Sequence, residues 1–144
     1  MRRKEAISGF AEKEKLSIVY FDYLPEDFLS KVSPSLPKSE RCLSCWELRL
    51  TQAALYAKEN HFDSFTTTLL ISPYQDQAAL KDLGEKIAQE TGFGFLYRDF
   101  REGFRDSQNK AKELGLYRQK YCGCIYSQIE RQMKTPLTSL SRTV

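Results

Sequence analysis

No run of apolar residues in this chain approaches the roughly 20 that a bilayer-spanning helix needs, so the sequence offers no transmembrane segment. The N-terminus, Met1-Arg2-Arg3-Lys4-Glu5, is charged and lacks the apolar stretch of a signal peptide. The protein is therefore expected in the cytoplasm, with no membrane partner. Histidine occurs once, at His61. It follows a predicted helix beside Asn60 and reads as a helix-end surface residue rather than a catalytic one. No glycine-rich phosphate loop is visible, which weighs against ATP-dependent chemistry. There is no internal repeat. A net charge of +3 is mild and by itself does not demand nucleic acid. Cysteine is scarce too, at four residues, but their placement is the chain's most informative feature.

The cysteines stand in two tight pairs, Cys42-x-x-Cys45 and Cys122-Gly123-Cys124, so far apart that only folding can unite them. In a reducing compartment, paired cysteines point to metal ligation or thiol catalysis rather than structural disulfides. Four thiolates suit a structural zinc site and suit an iron–sulfur cluster equally. They also suit a dithiol–disulfide couple, because Cys-Gly-Cys is short for a relaxed disulfide and such a bond is easily reduced. Spacing alone leaves all three open.

The 144 residues are one domain's worth, and an apolar share of 41% is enough for a core. Ile7, Phe10 and Ala11 predict a short N-terminal helix. Ser17–Asp22 is rich in β-branched and aromatic residues and reads as a strand. Pro25 opens a short helix, and the Pro- and Ser-rich residues 33–39 read as a loop. A strong helix is expected from Cys45 to about Asn60, with Leu50, Ala53, Ala54 and Ala57 as its buried stripe. That start places Cys45 near the positive helix end, where a thiolate is favoured. Residues 64–71 read as a buried strand stopped by Ser72-Pro73, and 93–97 as a third strand. Between these two strands lies a helix marked by Ala79, Leu83 and Ile87 and closed by Gly92. Further helices are expected after Asp106-Ser107, ending at Gly115, and over Ile125–Met133. Strands alternating with helices imply an α/β fold, a parallel sheet with helices on both faces in three layers. Residues 1–134 read as a single domain and 135–144 as a flexible tail. Three strands are few for this architecture, and a helix precedes the first of them. An N-terminal strand is therefore expected to be missing from the chain.

Several other residues carry candidate chemistry. Arg98, Arg101 and Arg105 interleave with Tyr97, Phe100 and Phe104, and Tyr117, Arg118, Lys120 and Tyr121 follow. Cations hold phosphates and aromatic rings stack on bases, so this pattern suggests RNA, although a solvated surface explains it too. Thr66, Thr67 and Thr68 approach the carboxyl end of a predicted strand, where α/β proteins bind ligands; threonine also simply suits strands. Asp99 and Asp106 flank the arginines, as ion-pair partners or as proton donors. Trp46 follows Cys45 directly, either shielding a metal site or packing in the core.

Taken in order, these blocks form a pattern. Cys42-x-x-Cys45 leads to Arg49-Leu50, then Phe65-Thr-Thr-Thr-Leu-Leu-Ile-Ser-Pro73, Tyr97-Arg-Asp-Phe-Arg101 and Leu116-Tyr-Arg-Gln-Lys-Tyr-Cys-Gly-Cys-Ile-Tyr-Ser127. Over residues 1 to about 131 the chain resembles the QueH-type epoxyqueuosine reductase family. The resemblance implies reduction of epoxyqueuosine to queuosine at the wobble position of tRNA, the last step of queuosine synthesis. It implies a 4Fe–4S cluster without cobalamin, an unidentified electron donor, and a compact HUP-like α/β fold. By the same resemblance Cys42 and Cys45 are cluster ligands. Cys122 and Cys124 are either the remaining metal ligands or a redox-active, disulfide-forming pair. Tyr117, Arg118 and Gln119 face the substrate, and Thr66, Thr67 and Thr68 line the pocket. With tRNA as substrate, the basic and aromatic stretch is expected to dock it through Arg98, Arg101, Arg105, Arg118 and Lys120, with Asp99 as the candidate acid.

The family pattern begins with a buried strand ending in adjacent cysteines, followed by an Asn-Pro-Asn motif, and this chain shows neither. The expectation is an N-terminally truncated member, inactive by itself or completed by the absent piece, with a second iron whose ligands lie partly there. Two other readings remain: a zinc-stabilised RNA-binding module without catalysis, and an ATP- and thiol-dependent tRNA-modifying enzyme.

Overall fold

The computed structural model describes residues 2–22 and 24–134. The expected tail at 135–144 lies outside the described residues. Among the described residues six α-helices carry the architecture: α1 (Arg2–Glu14), α2 (Pro25–Lys31), α3 (Lys38–Glu59), α4 (Gln77–Thr91), α5 (Phe104–Glu113) and α6 (Ile125–Lys134). Two 3₁₀ helices, Thr68–Ile71 and Arg101–Gly103, interrupt the connections. The chain divides into a larger unit, Phe21–Asn109, and a smaller one drawn from Met1–Tyr20 and Lys110–Val144.

In the larger unit the core is built on α3 and α4. Trp46, Leu50, Ala54 and Ala57 repeat every three to four residues along α3 and are all buried, as a helix with one apolar stripe requires. They meet Leu80 and Ile87 of α4, together with Phe65 and Leu70. α4 carries both of its end signals. Asp76 accepts a hydrogen bond from Ala79 N at 3.0 Å, and Gly92 closes the helix in the left-handed region at φ 64°. Lys58, near the end of α3, donates to the Thr91 carbonyl at 2.6 Å and secures the last turn of α4.

The fold differs from the expected α/β class. About 64% of the described residues are helical and 2% are strand, and no sheet is present among them. The only β pairing among the described residues is a parallel bridge between Phe65 and Phe95. Phe65 N donates to Gly94 O at 3.0 Å, and Leu96 N donates to Phe65 O at 2.8 Å. Beyond this bridge the chain leaves the extended state. The Thr67 hydroxyl accepts from Leu69 N at 3.2 Å and caps the first 3₁₀ helix, so Leu70 enters the core from a helical turn. A short apolar run such as Leu69-Leu70-Ile71 has no period that separates buried strand from buried turn. Residues 17–22 adopt no strand, and Leu16, Ile18, Val19, Tyr20 and Phe21 are 37% to 55% exposed. Their composition favours pleated surfaces, but a strand exists only against a partner.

In the smaller unit, α1 begins at Arg2 and buries Ala11. Tyr20 is held by its hydroxyl against Ser8 at 2.7 Å and by the Lys4 ammonium 4.5 Å from its ring centre. α6 spans the helix expected at Ile125–Met133, with one residue more.

Candidate functional site

The Cys-Gly-Cys segment folds into a tight turn at the start of α6. The Cys124 carbonyl accepts from Gln128 N at 3.1 Å, which makes Cys124 the last residue before the helix. Gly123 adopts φ 102°, a conformation that side chains rarely tolerate. The space around it is also taken, since a Cβ there would lie 2.8 Å from Arg3 Nη1 and 3.3 Å from Gln119 Nε2. Arg3 donates to the Cys122 carbonyl at 3.3 Å, and Gln119 donates to the Tyr121 carbonyl at 2.9 Å. Ser127 links the two cysteines. Its hydroxyl accepts from the Cys122 thiol at 3.1 Å and donates to the Cys124 carbonyl at 2.9 Å. Cys122 is exposed and Cys124 half-buried.

Sequence reasoning named both cysteines and Gln119 but missed Ser127 and Arg3. The signal for Ser127 was its position three residues past the pre-helix cysteine, where a side chain reaches back to the helix start. Nothing in the sequence pointed to Arg3. Tyr117 and Arg118 are exposed in the segment between α5 and this turn.

In the larger unit Cys42 and Cys45 lie one turn apart on α3, both half-buried, with Cys42 packed against the core. α3 begins at Lys38, immediately after Pro37, and not at Cys45. Cys45 is thus two turns inside the helix. The end effect invoked from sequence does not reach it, because the macrodipole acts over the first turn. All four cysteines are thiols, with no disulfide.

Thr66 donates to the Leu96 carbonyl at 2.8 Å and Thr67 caps the 3₁₀ helix, so both hydroxyls serve the fold; Thr68 is exposed. Arg98 lies over the Phe100 ring at 5.5 Å, and Arg105 is exposed on α5. Asp99, Arg101 and Glu102 line an open depression. Arg101 donates to both Asp99 oxygens, the shortest contact being 2.5 Å from Nη2. Those side-chain hydrogen bonds, with one from the Arg101 backbone, lower the Asp99 pKa to about 2. Asp99 is therefore a carboxylate at neutral pH. As placed it pairs with Arg101 at the rim of the depression.

A thiolate cluster needs several donors at one point. The larger unit contributes Cys42 and Cys45, and the smaller contributes Cys122 and Cys124. Among the described residues no group of three or more His, Cys, Asp or Glu side chains is placed to hold a metal ion. The donor chemistry suits iron, but the donor number in either unit does not complete a four-thiolate site.

The arrangement defines a class first: a mainly helical protein with a structured vicinal dithiol and a surface of arginines and aromatic rings. Its sequence then matches the family model described as epoxyqueuosine reductase QueH over residues 1–130. The relative from Dehalococcoides mccartyi, named epoxyqueuosine reductase QueH, is 37% identical over 91% of this chain and 68% of its own length. The Thermotoga maritima protein of the same name is 33% identical over 92% of this chain and 73% of its own. That of Helicobacter pylori is 37% identical, covering 93% of this chain and 40% of its own. The chain belongs to the QueH epoxyqueuosine reductase family.

Proposed function

We propose that this protein reduces epoxyqueuosine to queuosine in tRNA, as an oxidoreductase. The observation that carries the reading is the family match over residues 1–130, which includes both cysteine pairs. Removing the epoxide oxygen as water consumes two electrons and two protons. The Cys122/Cys124 dithiol passing to its disulfide releases that number of each, so the pair can supply the reaction or relay to it. Gly123 holds the turn between the two cysteines at φ 102°, and Ser127 accepts from the Cys122 thiol. Arg98, Arg105, Arg118 and Lys120 are the phosphate-holding cations of this reading. Tyr117 and Gln119 stand on the substrate side, and Thr68 keeps an exposed hydroxyl for it. The proton for the leaving oxygen has Asp99 as one candidate source, with a thiol or water as the others.

The same reading includes an iron–sulfur cofactor, independent of cobalamin, with Cys42 and Cys45 as donors; Cys122 and Cys124 are either its remaining donors or the redox pair, and not both at once. Bound, such a cluster supplies single electrons. The donor set in either unit alone is incomplete.

The test is turnover of tRNA bearing epoxyqueuosine under anaerobic, reducing conditions, with nucleosides resolved by mass spectrometry. Wild-type protein is expected to convert it. Cys122→Ser and Cys124→Ser are each expected to lose at least about 100-fold in rate, the scale of a lost catalytic group. Normal turnover by either variant would refute the role of the pair. Visible absorption of anaerobically purified protein reports the cofactor separately, as a broad brown spectrum for iron–sulfur.

A further inference from the structure

The turn between the first 3₁₀ helix and α4 holds a side chain that the proposed reaction does not use. Tyr74 is 82% exposed. A lone exposed aromatic needs no explanation, and a loose one does nothing. This one is fixed. Pro73 restricts the backbone before it. Tyr74 N donates to the Ser72 hydroxyl at 3.3 Å, and Gln75 N to the Ser72 carbonyl at 3.4 Å. The buried Gln77 side chain reaches the same carbonyl at 3.3 Å and pins the turn from beneath.

The Tyr74 ring is braced as well. It meets Phe104 in a T-shaped contact, with centres 5.8 Å apart and planes at 86°. Such a contact occupies at most one face of the tyrosine and leaves the other open. Phe104 precedes Arg105, and Phe100, beneath the Arg98 guanidinium, donates its backbone N to Leu70 O at 3.3 Å. The arginine stretch is thereby tied to the 3₁₀ helix from which the Tyr74 turn departs. All of these residues lie within the larger unit.

We propose that Tyr74 is a stacking platform for an unpaired base of the RNA substrate, with Arg105 and Arg98 beside it for the flanking phosphates. This rests on tRNA being the substrate. Glu102 and Asp106 share the stretch with the arginines, and Asp99 is already paired with Arg101, so the local charge is close to balanced. Stacking therefore carries the contact, and an anticodon loop offers unstacked bases for it.

The experiment measures binding of a fluorescently labelled anticodon stem–loop RNA to the full chain by anisotropy across a salt series. Wild type is compared with Tyr74→Ala, Tyr74→Phe and Tyr74→Trp, each checked for an unchanged melting temperature. Tyr74→Ala is expected to weaken binding by roughly 5- to 150-fold, the range for one lost base stack. Its slope against salt should stay unchanged, since no phosphate contact is removed. Tyr74→Phe and Tyr74→Trp should keep wild-type affinity. Equal affinity of wild type and Tyr74→Ala would overturn the platform and leave tRNA as the substrate. Equal loss in all three variants would also overturn it, since a ring would then not suffice. If wild type binds neither the stem–loop nor intact tRNA, the substrate reading fails and the platform with it.

Discussion

Backbone N, Nε and Nη2 of Arg101 all donate to the Asp99 carboxylate, and this one neighbour lowers its pKa. The folded pKa lies below the unfolded value, so the pair contributes stability above the ordinary aspartate pKa. That contribution disappears as pH falls from about 4 through about 2. Both side chains are exposed and the effect is screened by salt. Carboxyl carbon NMR should place the Asp99 midpoint near 2, and Arg101→Gln should return it to the usual aspartate range. An unchanged midpoint in that variant would show that Arg101 is not the cause. From sequence, Asp99 and Arg101 were legible as neighbours of opposite charge. Their three-point pairing was not, because it depends on the rotamer of the arginine. Ser127 was hidden for a similar reason: its hydroxyl acquires a role only once α6 begins at Ile125.

α3 and α4 show what one small residue does between two elements. The Phe95 ring lies against Gly84 of α4, so closely that a Cβ at that position would stand only 2.2 to 2.5 Å from three ring carbons. Alanine in a helix interior ordinarily gains about 1 kcal/mol over glycine. Here the overpacking opposes that gain and exceeds it, with a cost of order 1–3 kcal/mol. Gly84→Ala is therefore expected to lower the urea midpoint, and Phe95→Leu in the same chain to restore much of the loss, visible as coupling in a double-mutant cycle. Additive effects would mean that the ring does not touch the helix. The helices were readable because their signals are local. The stripe Leu50, Ala53, Ala54 and Ala57 and the pair Asp76 and Gly92 sit within a few turns of one another. The strands were misread because β-branched composition at Ile18, Val19 and Thr66–Thr68 says nothing about where a partner backbone lies. The start of α3 was placed too late because Pro34, Pro37 and the serines suggested a loop, whereas Pro37 directly precedes the first turn.

Across the molecule, burial is uneven. Leu70, Leu80, Ile87 and Ala54 are wholly shielded in the larger unit, while α5 and α6 bury no residue among those described. Native-state hydrogen exchange should find the slowest amides in α3 and α4 and much faster exchange in α6, since protection follows buried contact. Leu80→Ala should cost about 2–5 kcal/mol and speed exchange throughout α3 and α4 together. Uniform protection across all six helices would contradict this division. The family pattern survived the misread fold because it rests on residue order: Cys42-x-x-Cys45, the threonine run and Cys122-Gly-Cys124 do not depend on whether intervening segments are strands or helices. No helix among the described residues is long and apolar enough to cross a membrane.

Trp46 is the sole tryptophan and is only 8% exposed, one residue past Cys45 in the stripe that α3 buries. The protein thus carries its own optical reporter. With excitation selective for tryptophan, emission comes from a single site in the core of the larger unit and shifts to the red when that core opens to water. The smaller unit has no tryptophan among its residues. Circular dichroism, which counts the helices of both units, and tryptophan emission, which sees one, would follow the same melting curve only if the two units unfold together.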